Sequence, residues 1–534
     1  MLFHTWTFAI FFLIVFTVFF ALRKTRWWLH ILFLASYTFY GWWNPYYLIL
    51  IFYSTALDYN VVALMDQCPK QSRIKFRWNM LWAAEIKSLQ MKILYWCFIS
   101  TAAAALAAAV IGIDNLRPMM LWIMLILFLM AMGTAFSSRK IWLIISLINN
   151  LSLLVFFKYA DFIAESFNAL FARMNLSFAL PEACELMPFG LEYMLPVGIS
   201  FFMFQSMSYT IDFYRGDIHR ERSFIRFATF VSFFPQLVAG PIERARNLLP
   251  QFNECPAVNG RDFSEGISLF LVGLFKKLAM ANYLSVYVER IYDDPANFNA
   301  PALCLATFAF AWQIYFDFSG YTDMARGVAR VFGFRLMLNF NHPYLACALS
   351  DFWSRWHISL SSWFRDYVYI PLGGNRKGSL FTYRNLLITF VVSGLWHGAA
   401  WTFIIWGTLH GIGIIICRRL ERSQWYSRYL PKIIKQTAVF IFTCFAWIFF
   451  RADSLESAQI IIKRIFTTSW NTPSGFPILM GMLITAIWAY EYLSESHYKW
   501  VLEHTAVRIA FSSAMVIYLL LFSSKGGEFI YFQF

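Results

Sequence analysis

Charged residues are scarce in this sequence. Only 14% of its 534 residues are Asp, Glu, Lys or Arg, whereas 59% are hydrophobic. In a typical soluble domain about a quarter of the residues are charged and about half are apolar. So few charges cannot cover the surface of a water-soluble protein of this length. The scarcity excludes a soluble globular domain and indicates a membrane protein that crosses the bilayer several times.

The sequence also lacks the short motifs of several enzyme and redox classes. Its eight cysteines are widely spaced and contain no CxxC pair, so there is no zinc-finger or thioredoxin signal. Walker A loops, dinucleotide fingerprints and GxSxG nucleophile elbows are absent as well. The cysteines are therefore expected to be reduced and structural, and no motif supports a covalent acyl-serine on this chain.

The basic residues are distributed along the chain as they are in membrane proteins. The formal net charge is +14, but the lysines and arginines form short clusters between apolar runs. This is the positive-inside pattern, and it argues against a nucleic-acid partner, which would need a basic face on a soluble module. The turn at 23–26 and the basic stretch at 70–92 are both expected to be cytoplasmic, which places the N-terminus outside.

Apolar runs near the length of a membrane crossing predict the individual spans. The first run has neither a positive n-region nor a cleavage site, so it is expected to remain as a span. The segment 158–190, which carries several carboxylates, is expected to be an outer loop. The predicted spans are 2–22, 27–43, 46–65, 93–113, 119–136, 141–157, 191–211, 263–288, 301–318, 437–450, 478–492 and 506–522.

Two apolar regions do not fit a simple crossing. Residues 227–241 are short and are interrupted by Pro235, Gly240 and Pro241. Residues 386–417 are too long for one helix and contain several glycines. Non-helical backbone at membrane depth persists only where protein or a water-filled cavity surrounds it, so both regions are expected to be re-entrant, interfacial or turned back on themselves.

We therefore expect one all-α polytopic domain over residues 1–534, with roughly 11–13 spans. Its N-terminal spans would occupy 1–226, its core with re-entrant segments 227–417, and its C-terminal spans 418–534.

His397 is the first residue that points to chemistry. It lies inside a hydrophobic run, and an ionisable side chain at membrane depth is costly and usually functional. A neutral imidazole can accept the proton of a hydroxyl that attacks an acyl group. The alternative is a buried histidine that bonds to a backbone carbonyl and serves only packing.

His357 is the second such residue. It lies just before a break that contains Pro371, Gly373 and Gly374, and it is close in sequence to three tryptophans, Trp353, Trp356 and Trp363. The alternative is a histidine packed among aromatic rings at the cytosolic surface. His342 and His410 are expected to be structural.

Two carboxylates lie near the end of a predicted span, in the sequence YFDFSGYTDMARG. Asp317 or Asp323 could orient a catalytic histidine, and an ion pair with Arg326 is the alternative, since a buried carboxylate needs a partner. Two histidines without a third or fourth ligand make a poor metal site, so no metal is expected.

Several long motifs resemble one protein family. They are RWHISLSSWFRDYVYIPLGGN, SGLWHGAAWTFIIWGTLHG, PQLVAGPIERARNLLPQF, QIYFDFSGYTDMARG and the terminal FIYFQF. Together they resemble the membrane-bound O-acyltransferases, in the bacterial branch that includes the alginate O-acetylation membrane proteins. The resemblance is densest between residues 195 and 411.

The resemblance implies a helical bundle around a central tunnel and assigns roles to residues. His397, in LWHG, matches the family's essential histidine, and His357 matches its second active-site position, with Trp396 and Ser359 in support. The donor implied is acetyl-CoA, as a co-substrate and not a tightly bound cofactor. Its phosphates would need basic partners at the cytosolic entrance of the tunnel. The candidates are Arg355, Arg365, Arg376 and Lys377, and Gly373 and Gly374 would allow close backbone approach. The positive charge of cytoplasmic loops in membrane proteins would explain these basic residues equally well.

The resemblance further implies acetyl transfer across a bacterial inner membrane. The product would be an O-acetylated extracytoplasmic polysaccharide such as alginate, made with a separate periplasmic, esterase-like transferase of the SGNH type. Peptidoglycan O-acetylation and D-alanylation of teichoic acid are alternatives that the residues do not separate. An acyl-group transporter without its own chemistry is an alternative of another class, but the broken segments occur only in the latter half, without the paired repeats typical of transporters.

Overall fold

The fold is all-α, as predicted. A computed structural model describes residues 1–68, 122, 125–126, 128–130, 138–187, 193–471, 478–522 and 529, and these contain helices and irregular segments but no strand. The predicted span at 93–113 and most of the one at 119–136 lie outside the described residues. The longer helices are, in chain order, α1 (Trp6–Leu22), α2 (Trp28–Gly41), α3 (Leu48–Gln67), α4 (Arg139–Arg173), α5 (Ile199–Arg215), α6 (Phe224–Ser232), α7 (Gly260–Tyr292), α8 (Ala300–Val331), α9 (Leu349–Arg355), α10 (Ile358–Phe364), α11 (Ser379–His397), α12 (Trp401–Leu420), α13 (Lys432–Arg451), α14 (Leu455–Thr467), α15 (Ile478–Ser494) and α16 (Thr505–Phe522).

The chain forms two compact units. The N-terminal unit comprises Leu22–Val238 and Arg244–Cys255, and the C-terminal unit comprises Met1–Ala21, Ala239–Glu243 and Pro256–Phe534. In the described part of the chain, seven helices are long and apolar enough to cross a membrane. They are α3 with its preceding turn, α4, α7, α8, α12, α13 and α16.

A buried polar cluster joins three helices of the N-terminal unit. Asp58 on α3 is fully buried and accepts hydrogen bonds from Ser146 Oγ at 2.6 Å and from Asn150 Nδ2 on α4. Ser206 Oγ on α5 also donates to this carboxylate. Buried polar groups must be hydrogen-bonded, so the cluster specifies how these three helices pack.

Helix α4 corrects the predicted span at 141–157. It continues for 35 residues to Arg173, about 52 Å at 1.5 Å per residue, and so includes much of the segment expected to be an outer loop. No glycine or proline interrupts it, and it ends just before Asn175, whose φ is 54°. The Leu176 N–H then donates to the Phe171 carbonyl at 2.9 Å, which closes the helix in the manner of a left-handed cap.

Paired glycines hold α7 and α8 together, and both helices are longer than predicted. A Cβ added to Gly273 would lie 2.5 Å from the Gly320 carbonyl oxygen, and one added to Gly266 would lie 2.9 Å from that of Gly327. Such close antiparallel approach is typical of helix pairs in membranes. Opposite Gly320, α7 contains a π-helical turn at Lys276–Ala281.

The region 386–417 consists of two helices, as its length suggested. Helix α11 ends at His397, Gly398 is extended, and α12 begins at Trp401. The two run antiparallel at close range, because a Cβ on Gly394 would lie 2.2 Å from the Phe403 carbonyl oxygen and one on Gly407 would lie 2.2 Å from that of Phe390. The region predicted at 227–241 is likewise broken, since α6 ends at Ser232.

Three of the helices named above, α9, α10 and α14, were not predicted. Helix α14 follows α13 after a few residues and begins at the N-cap Ser454, whose side chain accepts from the Ser457 N–H. It buries only Ala458 and Ile461, and its mixed composition falls below the hydrophobicity by which spans are recognised.

Adding a side chain to the α11–α12 contact should destabilise the protein. Gly394→Ala or Gly407→Ala forces the helix backbones apart, because the added Cβ would lie 2.2 Å from a carbonyl oxygen, and overpacking of this kind costs about 1–3 kcal/mol. We expect a lower midpoint of thermal unfolding in detergent. Gly260→Ala is the matched control, because a Cβ there meets no atom within 4 Å; equal stability of all three variants would contradict the close contact.

Candidate active site

His397 lies at the tip of the α11–α12 hairpin. It is the last residue of α11 and is 3% exposed. Its ring makes edge-on contacts with Trp396 and Trp406, both at 5.0 Å between ring centroids, and with Phe450 of α13 at 5.3 Å. The sequence suggested a histidine in the middle of an unbroken apolar run; the structure places it where the helix stops, because Gly398 and the residues after it turn the chain back.

His357 is fully buried and joins the same group of aromatic rings. It lies between α9 and α10 in a left-handed conformation, with φ 44° and ψ 54°, which is uncommon for a residue with a side chain. Its ring lies 4.6 Å from that of Phe318 and 6.0 Å from that of Trp396. Trp396 therefore contacts both histidines, and the structure brings together the two residues that the sequence selected.

Asn339 determines which nitrogen of His357 carries the proton. The Asn339 Oδ1 atom accepts from the Ser359 N–H at 3.2 Å and from Ser359 Oγ at 2.9 Å. A backbone N–H can only donate, so the amide oxygen must face it. His357 Nδ1 lies 3.1 Å from the same oxygen and must therefore carry the proton. This assignment leaves Nε2 as the acceptor nitrogen of the ring.

Burial also keeps His357 neutral. Removal of the ring from water lowers the pKa of His357 to about 3, because the charged form loses its hydration. An imidazole of this kind is unprotonated throughout the physiological range, and its Nε2 can accept a hydrogen bond or a proton. The sequence analysis did not predict the contact between Asn339 and His357, because the spacing between the two residues follows neither a helical nor a strand period.

A third histidine lies next to this group. Trp406 contacts both His397 and His410, at 5.0 and 4.9 Å between ring centroids. His410 Nδ1 accepts from Trp353 Nε1 at 3.3 Å, which agrees with the structural role expected for it. The buried Nε1–H of Trp406 has no hydrogen-bond acceptor among the described residues, which is unusual for a donor without access to water.

The two carboxylates are paired with lysines of α7. Asp317 lies 2.7 Å from Lys277 Nζ, and Asp323 lies 2.7 Å from Lys276 Nζ and 3.5 Å from Arg326. They lie well inside α8, not at its end as expected. Each carboxylate therefore has a lysine of α7 as an ion-pair partner, and Asp323 also lies near Arg326, the partner named in the ion-pair alternative.

The residues proposed for the donor fall into two groups. Arg355 lies 2.8 Å from Asp351 and also pairs with Glu495, and Arg365 lies 2.8 Å from Asp366, so their charges are largely compensated. Arg376 and Lys377 are exposed, and the described part of the chain gives them no ion pair. They follow Gly373 and Gly374, whose φ values are 109° and 55°.

That glycine turn is anchored to α11, far from its histidine. Asn385 Nδ2 donates to the Gly374 carbonyl at 2.9 Å. From Ser379 to His397 the helix rises about 27 Å. Arg419, at the end of α12, lies over the Tyr383 ring at 5.4 Å, so this end of the hairpin is basic and the other end holds the histidines.

Comparison with known proteins supports the resemblance. A family model described as "MBOAT, membrane-bound O-acyltransferase family" matches residues 195–459. A Pseudomonas putida protein named probable alginate O-acetylase AlgI is 42% identical over 340 residues, which cover 63% of this chain and 67% of that protein. The peptidoglycan O-acetyltransferase of Helicobacter pylori is 39% identical over 352 residues, with coverage of 61% and 64%.

A more distant relative is the teichoic acid D-alanyltransferase of Bacillus subtilis, which is 28% identical over 272 residues, 48% of this chain and 68% of that protein. In each of these comparisons the match spans about two thirds of the relative's length. Every candidate site residue named above lies within residues 195–459.

Removing one partner of the buried ion pair should destabilise the C-terminal unit. The side chains of Lys277 and Asp317 are 5% and 4% exposed. Lys277→Met leaves the buried Asp317 carboxylate without its cation, which lowers the free energy of unfolding by about 3–5 kcal/mol. We expect a clear fall in thermal stability, with partial recovery in Lys277→Met/Asp317→Asn.

Lys276→Met is the control for that experiment, because Asp323 is more exposed and keeps Arg326 nearby. An equal fall in thermal stability for Lys276→Met and Lys277→Met would show that the burial of the Lys277–Asp317 pair has no special weight.

Proposed function

We propose that this chain, which belongs to the membrane-bound O-acyltransferase family and is an acyltransferase, moves acetyl groups from cytosolic acetyl-CoA towards the O-acetylation of an extracytoplasmic polysaccharide such as alginate. The observation that carries the proposal is the pair of buried histidines, His357 and His397, in contact with one tryptophan ring. The names of the relatives at about 40% identity support acetyl as the group and alginate as the polymer.

In the proposed reaction His397 is the general base. Its imidazole takes the proton of the acceptor hydroxyl as the oxygen attacks the thioester carbonyl carbon. When the carbon–sulfur bond breaks, the imidazolium returns that proton to the leaving thiolate. The surrounding rings of Trp396, Trp406 and Phe450 exclude water, which would otherwise compete as the acceptor and hydrolyse the thioester.

His357 has a different role, because its tautomer is fixed. With the proton on Nδ1, its Nε2 cannot donate a hydrogen bond to a developing oxyanion. It can accept one, and we assign it to hold an amide N–H of the donor near His397, since the single hydrogen of the acceptor hydroxyl goes to His397. The buried Nε1–H of Trp406 is the better candidate to donate to the thioester oxygen, since it lacks an acceptor among the described residues.

The donor would enter from the basic end of the hairpin. Arg376 and Lys377 are suited to the phosphates of coenzyme A, because their charges are exposed and are not paired with any carboxylate of the described residues. One helix length separates them from His397, so they can act only on the nucleotide end of the donor. The acyl group must then be carried inward on a long, thin arm, which the pantetheine part of coenzyme A provides.

The histidine end of the hairpin, opposite the basic end, is the side from which we propose that the acceptor enters. At the histidine end of α13, Arg451 lies 3.4 Å from Asp293, in the turn expected to face outward. We propose that the acceptor reaches His397 from this side, in a bacterial inner membrane whose exterior also holds the N-terminus. A periplasmic SGNH-type transferase would then pass the acetyl group to the polymer.

Peptidoglycan is the second candidate polymer, because the relative that carries that name is nearly as similar as the alginate proteins. D-alanyl transfer to teichoic acid has weaker support, at 28% identity. A transporter that catalyses no reaction is disfavoured, because the chain belongs to a family of transferases.

Replacement of His397 tests the central role. His397→Ala should abolish O-acetylation of the polymer in cells while the amount of protein in the membrane is unchanged. The variant lacks the proposed general base, and His357, whose pKa burial lowers to about 3, is too weak a base to replace it. The purified variant should also fail to transfer label from radiolabelled acetyl-CoA. His504→Ala, at an exposed histidine, is the control; retained acetylation in His397→Ala would refute the assignment.

The tautomer argument makes its own prediction. Asn339→Leu removes the oxygen that holds the Nδ1 proton, so His357 loses its orientation, and acetyl transfer should fall by about 100-fold or more. Asn339→Asp keeps an acceptor at this position and should retain much more activity. Equal losses in the two variants, both folded as judged by gel filtration, would show that Asn339 acts only in packing.

A further inference from the structure

A serine, a histidine and a glutamate lie close together elsewhere in the C-terminal unit, in the order of a catalytic triad. Ser494 Oγ is hydrogen-bonded to His342 Nε2 at 3.1 Å. His342 Nδ1 lies 3.4 Å from Glu491 Oε1, which is an ion-pair distance without hydrogen-bond geometry. A nucleophile, a base and an orienting carboxylate are connected in this order in serine hydrolases on unrelated folds. Such triads are recognised by geometry, so the missing GxSxG sequence does not exclude one here.

The three side chains come from two segments that are well apart in the sequence. Glu491 and Ser494 are three residues apart on α15 and so share one face of that helix. His342 precedes Pro343 in the irregular segment between α8 and α9, and its φ is 46°. Among the described non-glycine residues, only Asn175 and His357 share a positive φ, and a backbone held in this region is a feature of functional sites.

The segment that carries His342 is held in place by the segment that carries His357. The Asn341 N–H donates to the Arg355 carbonyl at 2.9 Å, and the Ile358 N–H donates to the Asn339 carbonyl at 2.9 Å. These two bonds pair the segments side by side. His342 is therefore fixed by the backbone and is not a loosely held surface histidine.

The glutamate lies at ion-pair distance from the imidazole. Glu491 is 3% exposed, and its Oε1 accepts from the Tyr315 hydroxyl at 2.7 Å. A carboxylate beside Nδ1 favours the proton on that nitrogen and leaves Nε2 to accept from Ser494. The serine hydroxyl also lies 2.7 Å from the Glu491 carbonyl of its own helix, so it must rotate from that oxygen towards His342 before it can react.

A small substrate could reach this group from the aqueous phase. The His342 side chain is 26% exposed and Ser494 is half-buried, while the residues that follow α15 are mostly polar and exposed. The Glu495 carboxylate next to the serine is paired with Arg355. The serine thus lies where α15 leaves the apolar part of the C-terminal unit.

We propose that Ser494, His342 and Glu491 form a second nucleophilic site, which takes the acyl group of a small thioester or activated ester. Ser494 Oγ attacks the carbonyl carbon, and its proton passes to His342 Nε2. The bond from that carbon to the leaving sulfur or oxygen breaks, and the leaving group takes the proton from His342. Water, deprotonated by His342, then releases the acyl group as a carboxylic acid and restores the serine hydroxyl.

A fluorophosphonate probe tests the site directly on the purified full-length protein in detergent. The serine oxygen displaces fluoride from phosphorus, and peptide mass spectrometry should place the adduct on Ser494 of the unmodified sequence. His342→Ala should slow labelling about 100-fold or more, since it removes the base, and Glu491→Gln should slow it as well. Ser496→Ala is the matched control, because Ser496 also donates to a backbone carbonyl of this region but contacts no histidine in the described structure.

The outcome separates this site from the transferase site. Labelling of Ser494 that persists in His397→Ala supports a second site whatever becomes of acetyl transfer. An unlabelled Ser494 in the unmodified protein would overturn the proposal without any variant having to fold. Labelling at an equal rate in folded His342→Ala would also overturn it, because the serine would then react without its base.

Discussion

The close contact between the backbones of α11 and α12 is the constraint on which the site depends. Gly394 and Gly407 let the two helices approach so closely that a single methyl group would collide with a carbonyl oxygen. The short turn that follows His397 is possible only because the helices are so near. That turn places His397 against Trp406 of the returning helix, and α13 adds Phe450 to the same ring cluster.

Several buried polar groups in the described part of this protein are paired, and the pairing gives each of them a direction. Asn339 receives two bonds from Ser359 and so fixes the tautomer of His357. Lys277 neutralises Asp317 inside the α7–α8 pair, and Ser146, Asn150 and Ser206 satisfy Asp58 in the N-terminal unit. In an apolar interior an unpaired group is costly, so these contacts restrict both how helices pack and which protonation states the site uses.

The hairpin also separates two chemical tasks. Exposed basic residues lie at the end that begins α11 and ends α12, and the histidines lie at the other end, about one helix length away. A donor with a charged head and a long acyl-bearing arm fits this arrangement. In the proposed reaction the acceptor approaches from the opposite side, so that acyl transfer and passage across the membrane would be one event.

The residues of the sequence by themselves determined the class of the protein and the residues worth examining. The shortage of charge and the apolar runs predicted an all-α membrane fold, and long motifs predicted the acyltransferase family; both are confirmed. They could not show where α4 and α8 end, since helices continue past the apolar run wherever no proline, glycine or cap stops them. They also missed Asn339 and the pairing of Asp317 with Lys277, because these contacts join segments far apart in the chain. Only the tertiary structure decided which nitrogen of His357 carries the proton and that Ser494 lies beside His342, since hydrogen bonds depend on distances that hydrophobic periodicity does not encode.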